Sequence, residues 1–184
     1  MSWFLIISIV ALAVILWGIA AYNRLVQLKA LSDEGWSGID VQLKRRYDLV
    51  PNLVAVVKQY SIHEKEVLEK VTQYRSMAIN ATTVADKATA EVGLSQTLKT
   101  LFAVAESYPD LKANINFLEL QKDLGSLEHE LQLARRYYNG AARNYNIATR
   151  TFPASLIAHL TGFIPVPYFE VDNAAERQNP QVRF

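Results

Sequence analysis

Histidine is the first residue type to test for metal chemistry, and the chain has three: His63, His129 and His159. Di-metal sites in helical bundles take a Glu-x-x-His from each of two helices and further carboxylates from the others. None of the three histidines has a glutamate three positions before it. His63-Glu64 opens like the His-Glu-x-x-His of a zinc protease, but Val67 stands where the second histidine is required. Acyl transfer needs a serine with a base and an oxyanion hole. Serines are present, but no glycine-rich strand-to-helix turn and no glycine-rich phosphate cradle accompanies them. Cysteine is absent altogether, which removes disulfides, thiolate metal sites and cysteine nucleophiles. The expectation is a protein without catalytic residues, metal or cofactor, and not an enzyme.

The charged residues point to structure before binding. Lys44-Arg45-Arg46 could meet anionic lipid or nucleic acid, but on a helix the three side chains point in different directions. A net charge of +1 gives no reason to expect nucleic acid. Arg46 interrupts an apolar row, so it is expected to be partly buried and paired with a carboxylate such as Asp48, Glu106 or Glu119. On that basis Arg46→Met should cost less than removing the partner carboxylate. Arg135, Arg136, Arg143 and Arg150 are interleaved with Tyr138 and Tyr145, whose hydroxyls need partners. Asn139, Asn144 and Asn146 are close in sequence. Arg46, Asp48, Tyr138 and Tyr145 are therefore read as a structural polar layer.

The elements that position these residues are helical. Trp3 to Tyr22 is apolar, broken only by Ser8 and Gly18, and carries no charge. As a helix it would cover about 30 Å, the thickness of a bilayer's hydrocarbon core. Trp3, Trp17 and Tyr22 sit where an aromatic belt would place them. A cleaved signal peptide would have a basic start and a shorter apolar core, so a retained anchor is expected. No Lys or Arg precedes the segment, whereas Arg24, Lys29, Lys44, Arg45 and Arg46 follow it. By the positive-inside rule the large domain is cytoplasmic and the N-terminus outside.

Beyond the anchor, Trp36, Leu43, Val50 and Val57 repeat every seven residues, and Ile39, Leu53 and Tyr60 form a second row interrupted by Arg46. Pro51 removes the hydrogen bond that its N–H would give the Tyr47 carbonyl. The stripe continues on both sides, which predicts a kinked but continuous helix rather than a new one beginning at Pro51. Ser61 and Glu64 have capping-box spacing, and a second helix is expected over Ile62–Asn80. Ala81 to Val84 reads as a turn. A third helix, Ala85–Tyr108, presents Leu94, Leu98, Leu101, Ala105 and Tyr108 on one face, and Pro109 ends it. In the fourth, Phe117, Leu120, Leu124, Leu127, Leu131, Ala134, Tyr138, Ala141, Tyr145, Ala148 and Phe152 alternate in steps of three and four. That period of about 3.5 residues runs over roughly 54 Å of helix and needs neighbours to bury it. A short helix, Pro153–Leu160, stops at Gly162. Phe163-Ile-Pro-Val-Pro-Tyr-Phe169 then favours an extended, polyproline-like run, and Asp172 to Gln181 is polar and loose.

These motifs together resemble the LemA family of bacterial membrane-anchored proteins. The matching stretches are Lys44-Arg-Arg-Tyr-Asp-Leu-Val-Pro-Asn-Leu-Val54, His63-Glu-Lys-Glu66, Ala105-Glu-Ser-Tyr-Pro-Asp-Leu-Lys-Ala-Asn114, Ala134-Arg-Arg-Tyr-Tyr-Asn139, Phe152-Pro153 and Gly162-Phe163. The resemblance covers nearly the whole chain and implies an N-terminal span followed by an antiparallel helical bundle, with no catalytic residue to carry over. Gly35 departs from the family's usual helix former and puts local helix stability in doubt.

The reading is an all-α chain: a transmembrane anchor (1–22), an antiparallel, up-and-down four-helix bundle with coiled-coil-like packing (23–162) and an extended tail (163–184). The function expected is a single-pass, non-catalytic scaffold or interaction protein of the bacterial inner membrane. Its partners would be membrane lipid, further copies of itself and other membrane proteins. Phe163, Ile164, Val166, Tyr168 and Phe169 are the candidate interaction segment. The alternative is a sensor of a small ligand or an anionic lipid head group.

Overall fold

The computed structural model describes residues 2–61 and 64–170. Among the described residues every regular element is a helix: α1 (Ser2–Tyr60), α2 (Lys65–Asn80), α3 (Val84–Ala105), α4 (Pro109–Lys112), α5 (Ile115–Arg150) and α6 (Ala154–Thr161). The chain forms two compact units. Of the described residues, unit 1 comprises 2–39 and Ala134–Tyr168, and unit 2 comprises the rest between Asp40 and Leu133 together with Phe169 and Glu170. Helices α1 and α5 contribute a segment to each. The polar stretch from Asp172 to Gln181, His63 and the expected start of the second helix at Ile62 lie outside the described residues.

In unit 1, α1 begins with an apolar window of mean hydropathy 2.8, none of it buried. The core starts past it, where Leu25, Ser32 and Ile39 repeat every seven residues and are buried with Tyr138, Ala142, Tyr145, Asn146 and Thr149 of α5 and Ala158 of α6. Gly35 has a packing cause. A Cβ there would stand 2.9 Å from the Tyr138 Cα and 3.1 Å from the Tyr137 ring. Glycine lets the two backbones approach, and the Trp36 and Tyr138 rings stack beside it at 5.5 Å. Gly162 ends α6 in the left-handed region, φ 78°, as its place in the sequence predicts.

In unit 2, Leu43, Val50, Leu53 and Val57 of α1 are buried, as the stripe predicts. Helix α1 runs through Pro51 without a break, so no new helix begins there. The carbonyl that Pro51 strands, that of Tyr47, accepts a hydrogen bond of 2.7 Å from Arg75 Nε of α2. The capping box expected at Ser61 and Glu64 does not form. Ser61 instead donates from both N and Oγ to the Val57 carbonyl, closing α1, and α2 starts at Lys65 without a side-chain cap. A capping arrangement forms at Thr83, whose Oγ1 accepts from Asp86 N and donates to the Asp86 carboxylate. Helix α3 ends at Ala105, earlier than expected, because Ser107 and Tyr108 donate three residues back and Pro109 opens the short α4. Asn114 Oδ1 accepts from Phe117 N at the start of α5.

The α5 seam is a core, with one drift. Phe117, Leu124, Leu127, Leu131, Tyr138 and Tyr145 are buried. Further along, Ala142, Asn146 and Thr149 are buried, whereas Ala141 and Ala148 are only half-buried. A helix of 3.6 residues per turn precesses about 20° per heptad against a 3.5-residue pattern, which carries the seam over by one position. Phe152, the last residue of the pattern, is 77% exposed.

The Pro51–Arg75 pairing is tested by a double-mutant cycle. Arg75→Met should destabilise by about 1–3 kcal/mol, the cost of a buried carbonyl left without a donor. In a Pro51→Ala background, where residue 51 supplies its own N–H, the same change should cost only a few tenths. Urea unfolding of the four proteins reads the difference, and equal costs in both backgrounds would remove the pairing.

Candidate functional site

The most concentrated chemistry lies in unit 2 around Arg46. Its side chain is 7% exposed and sits in the apolar row of α1. Nη1 donates to Glu91 Oε2 of α3 at 3.0 Å and pairs with Glu128 Oε2 of α5 at 3.1 Å. Nη2 donates to Ser95 Oγ at 3.0 Å. Glu91 is fully buried, while Glu128 is 35% exposed. Tyr47, next along α1, is also buried. Burial first and the neighbouring Glu91 carboxylate second hold its phenol well above the ordinary value.

Arg46 is thus buried and paired, but not with the expected carboxylates. Asp48 is exposed, because two residues along a helix turn a side chain about 200° away. It lines a shallow pocket of about 350 Å³ with Arg45, Asp123 and Glu130. Glu106 pairs with Lys112, and Glu119 is exposed. Arg46 belongs to the charged cluster of unit 2, whereas Tyr138 and Tyr145 belong to unit 1.

In unit 1 the two tyrosines hold the tail. Tyr138 Oη donates to the Pro167 carbonyl at 2.6 Å and Tyr145 Oη to the Ile164 carbonyl at 2.9 Å. Asn146 takes both sides of Val166. Its Nδ2 donates to the Val166 carbonyl and its Oδ1 accepts from Val166 N, each at 2.8 Å. Burial, with a smaller contribution from the Asp33 carboxylate, raises the pKa of both phenols. The expected asparagine partners of the tyrosines are replaced by strap carbonyls.

The five interaction candidates part company here. Phe169 is buried, at 1% exposure. Phe163 is half-buried, with its ring tilted against that of Tyr22 at 5.7 Å and edge-on to that of Tyr145 at 6.4 Å. Val166 is half-buried, while Ile164 and Tyr168 are exposed. His129 and His159 are exposed, His63 lies outside the described residues, and among the described residues no three His, Asp or Glu side chains converge as metal ligands.

Two larger grooves lie among the described residues. One of about 820 Å³ lies in unit 2 between α1 and α2, lined by Val54, Lys58, Leu68, Thr72, Gln73 and Met77 among others. The other, about 950 Å³, lies in unit 1 and includes Trp17, Ala21, Arg24, Asn144, Ile147 and Phe152.

The model of the LemA family matches residues 35–184. Magnetosome protein MamQ 2 of Paramagnetospirillum magneticum is 23% identical over 197 residues, covering 93% of this chain and 72% of that protein. Magnetosome protein MamQ of Magnetospirillum gryphiswaldense is 23% identical over 181 residues, 84% of this chain and 66% of that one. Protein LemA of Metamycoplasma hominis is 30% identical over 131 residues, 69% of this chain and 58% of that one.

The geometry reverses the order of costs expected around Arg46. Removing Arg46 strands the more deeply buried charge, Glu91, whereas removing Glu91 leaves Arg46 its Glu128. Arg46→Met should therefore cost about 3–5 kcal/mol and Glu91→Gln about 1–2 kcal/mol. The double variant Arg46→Met/Glu91→Leu should recover most of the loss. Thermal unfolding at neutral pH gives the ranking; a double variant as unstable as Arg46→Met would show that the charges are not the cause.

Proposed function

Because the chain belongs to the LemA family and opens with an apolar helical window, none of it buried among the described residues, we propose that it is a single-pass membrane protein whose helical domain binds other proteins, copies of itself included, and catalyses nothing. The unburied window is the observation that carries this reading. An unburied helix of that hydropathy and length favours an apolar solvent. Arg24 and Lys29 follow the window closely, which favours a cytoplasmic domain at the inner membrane, with the segment before Trp3 outside. The domain itself is an antiparallel, up-and-down four-helix bundle in this proposal.

The interaction role rests on what the helices leave outside. Ile79, Ile115, Leu118, Leu133 and Ile147 are between 42% and 72% exposed, offering apolar contacts beyond the filled core. Small residues at Ser8, Ala11 and Ala21 of the window allow parallel spans to approach. The strap contributes less to assembly than its sequence suggests, because its backbone is bound to its own helix. A head-group sensor is favoured by one feature, Arg24 in the groove beside Trp17.

Amine-reactive cross-linking in intact cells tests assembly and orientation together. A permeant reagent should give a ladder of multimers. An impermeant reagent should give none, since the lysines lie on the cytoplasmic side. A ladder with the impermeant reagent overturns the orientation. Absence of any ladder, with a monomeric mass in several mild detergents, overturns self-association.

A further inference from the structure

The strongest unexplained surface lies on and around α6. From Thr151 to Phe169 the chain contains no Asp, Glu, Lys or Arg. Phe152 lies just before α6, and Leu156 and Leu160, four residues apart, share one of its faces. They are 77%, 56% and 83% exposed, and Ile164 just beyond is 74% exposed. The opposite face is seated. Ala158 is 2% exposed, and Ile157 Cδ1 lies 3.8 Å from where a Cβ on Gly18 would stand. Phe163, after α6, has its ring tilted against that of Tyr22. Helix α6 therefore lies against the last turns of the apolar window.

That contact fixes a level. Gly18 precedes Tyr22 by four residues, about 6 Å along the helix axis. Trp17 and Tyr22 are the aromatic residues that mark a membrane–water boundary. Amphipathic helices that lie in a membrane surface bury their apolar face about 5–10 Å into the boundary between head groups and acyl chains. A water-soluble partner would have to reach the same depth to cover Leu156 and Leu160, whereas lipid is already there.

We infer that α6 is an interfacial membrane helix, with Phe152, Leu156, Leu160 and Ile164 seated in the leaflet from which α1 emerges. The inference rests on α1 spanning the bilayer, as proposed above. It gives the protein a second attachment, at the C-terminal end of α5, which depends on lipid packing rather than on crossing the membrane.

The chain has no cysteine, so single-cysteine variants of the full-length protein label cleanly. Leu156→Cys, Leu160→Cys and Phe152→Cys carry an environment-sensitive fluorophore in phosphatidylcholine–phosphatidylglycerol vesicles. Val10→Cys reports on the span and Glu34→Cys on water. Nitroxide-labelled acyl chains should quench positions 152, 156 and 160 as they quench position 10. Iodide should quench them about fivefold less than position 34, as expected for burial at the acyl boundary. Iodide quenching equal to that at position 34 overturns the inference. Shielding from both quenchers also overturns it, because protein would then cover the face. If position 10 is not quenched by the lipid nitroxide, the spanning role of α1 itself falls.

Discussion

A proline inside a long helix leaves one carbonyl without a donor, and an arginine in an apolar row needs a carboxylate. Helix α1 makes both demands within six residues, at Arg46 and at Tyr47, whose carbonyl Pro51 strands. Each is met from a different helix of unit 2. Arg75 of α2 reaches the Tyr47 carbonyl, Glu91 and Ser95 of α3 take the Arg46 guanidinium, and Glu128 of α5 adds a second carboxylate. These pairs specify register in a way the apolar seam does not. Leu94 and Leu101 are seven apart and both buried, so sliding α3 by a heptad would still present leucine to the core. The same slide would put Leu98 or Val84 where Glu91 stands and leave Arg46 unpaired. The charged cluster removes that degeneracy, much as a polar core residue fixes register in a coiled coil.

The helices were legible because burial repeats on their own period. The α1 stripe and the α5 seam both show it, and Gly162 marks its helix end by the backbone conformation only glycine adopts freely. What was illegible depends on how separate helices are turned toward each other. Arg46 could be read as buried and paired, but the choice of Glu91 and Glu128 over Asp48, Glu106 and Glu119 follows from the rotation of α3 and α5 about their axes. Gly35 is the same kind of case. Its cost to helix propensity is local and visible, while its benefit, room for the Tyr138 backbone, is a contact more than one hundred residues away. The capping box failed for a local reason. Ser61 gives both its N–H and its hydroxyl to the Val57 carbonyl one turn back, which keeps it in the last turn of α1 instead of at the start of α2.

Unit 1 meets its polar demands with neutral groups, and the spacing is matched. An extended polyproline-like strand has no internal hydrogen bonds, so its carbonyls need outside donors wherever it is covered. Tyr138 and Tyr145 are one heptad apart, about 10.5 Å along the helix. Their acceptors, Pro167 and Ile164, are three residues apart, about 9 Å in a polyproline conformation. The strap therefore runs back along α5 at nearly the pitch of the tyrosines, with Asn146 clasping Val166 in between. Pro165 and Pro167 hold the strand extended, which keeps its repeat close to that of the helix row. The tyrosines in the seam are thus core residues and strap donors at once.

Binding the strap's backbone redistributes its apolar side chains. Phe169 turns into the core and Phe163 lies between two tyrosine rings, so only Ile164 and Tyr168 of the five face outward. The larger outward apolar surface appears just before it, at Phe152, Leu156 and Leu160, where the sequence showed only a short helix between a proline and a glycine. The outer side of helix α6 carries Leu156 and Leu160 beside the exposed His159 and Thr161. Exposed apolar side chains grouped on one side mark a contact with a partner or a membrane. Among the described residues nothing closes off Leu156 and Leu160 on the outer side of α6, and its inner side is seated against the apolar window. Its composition and its position next to Gly18 and Tyr22 ask for the same surroundings, and in both respects that medium is apolar.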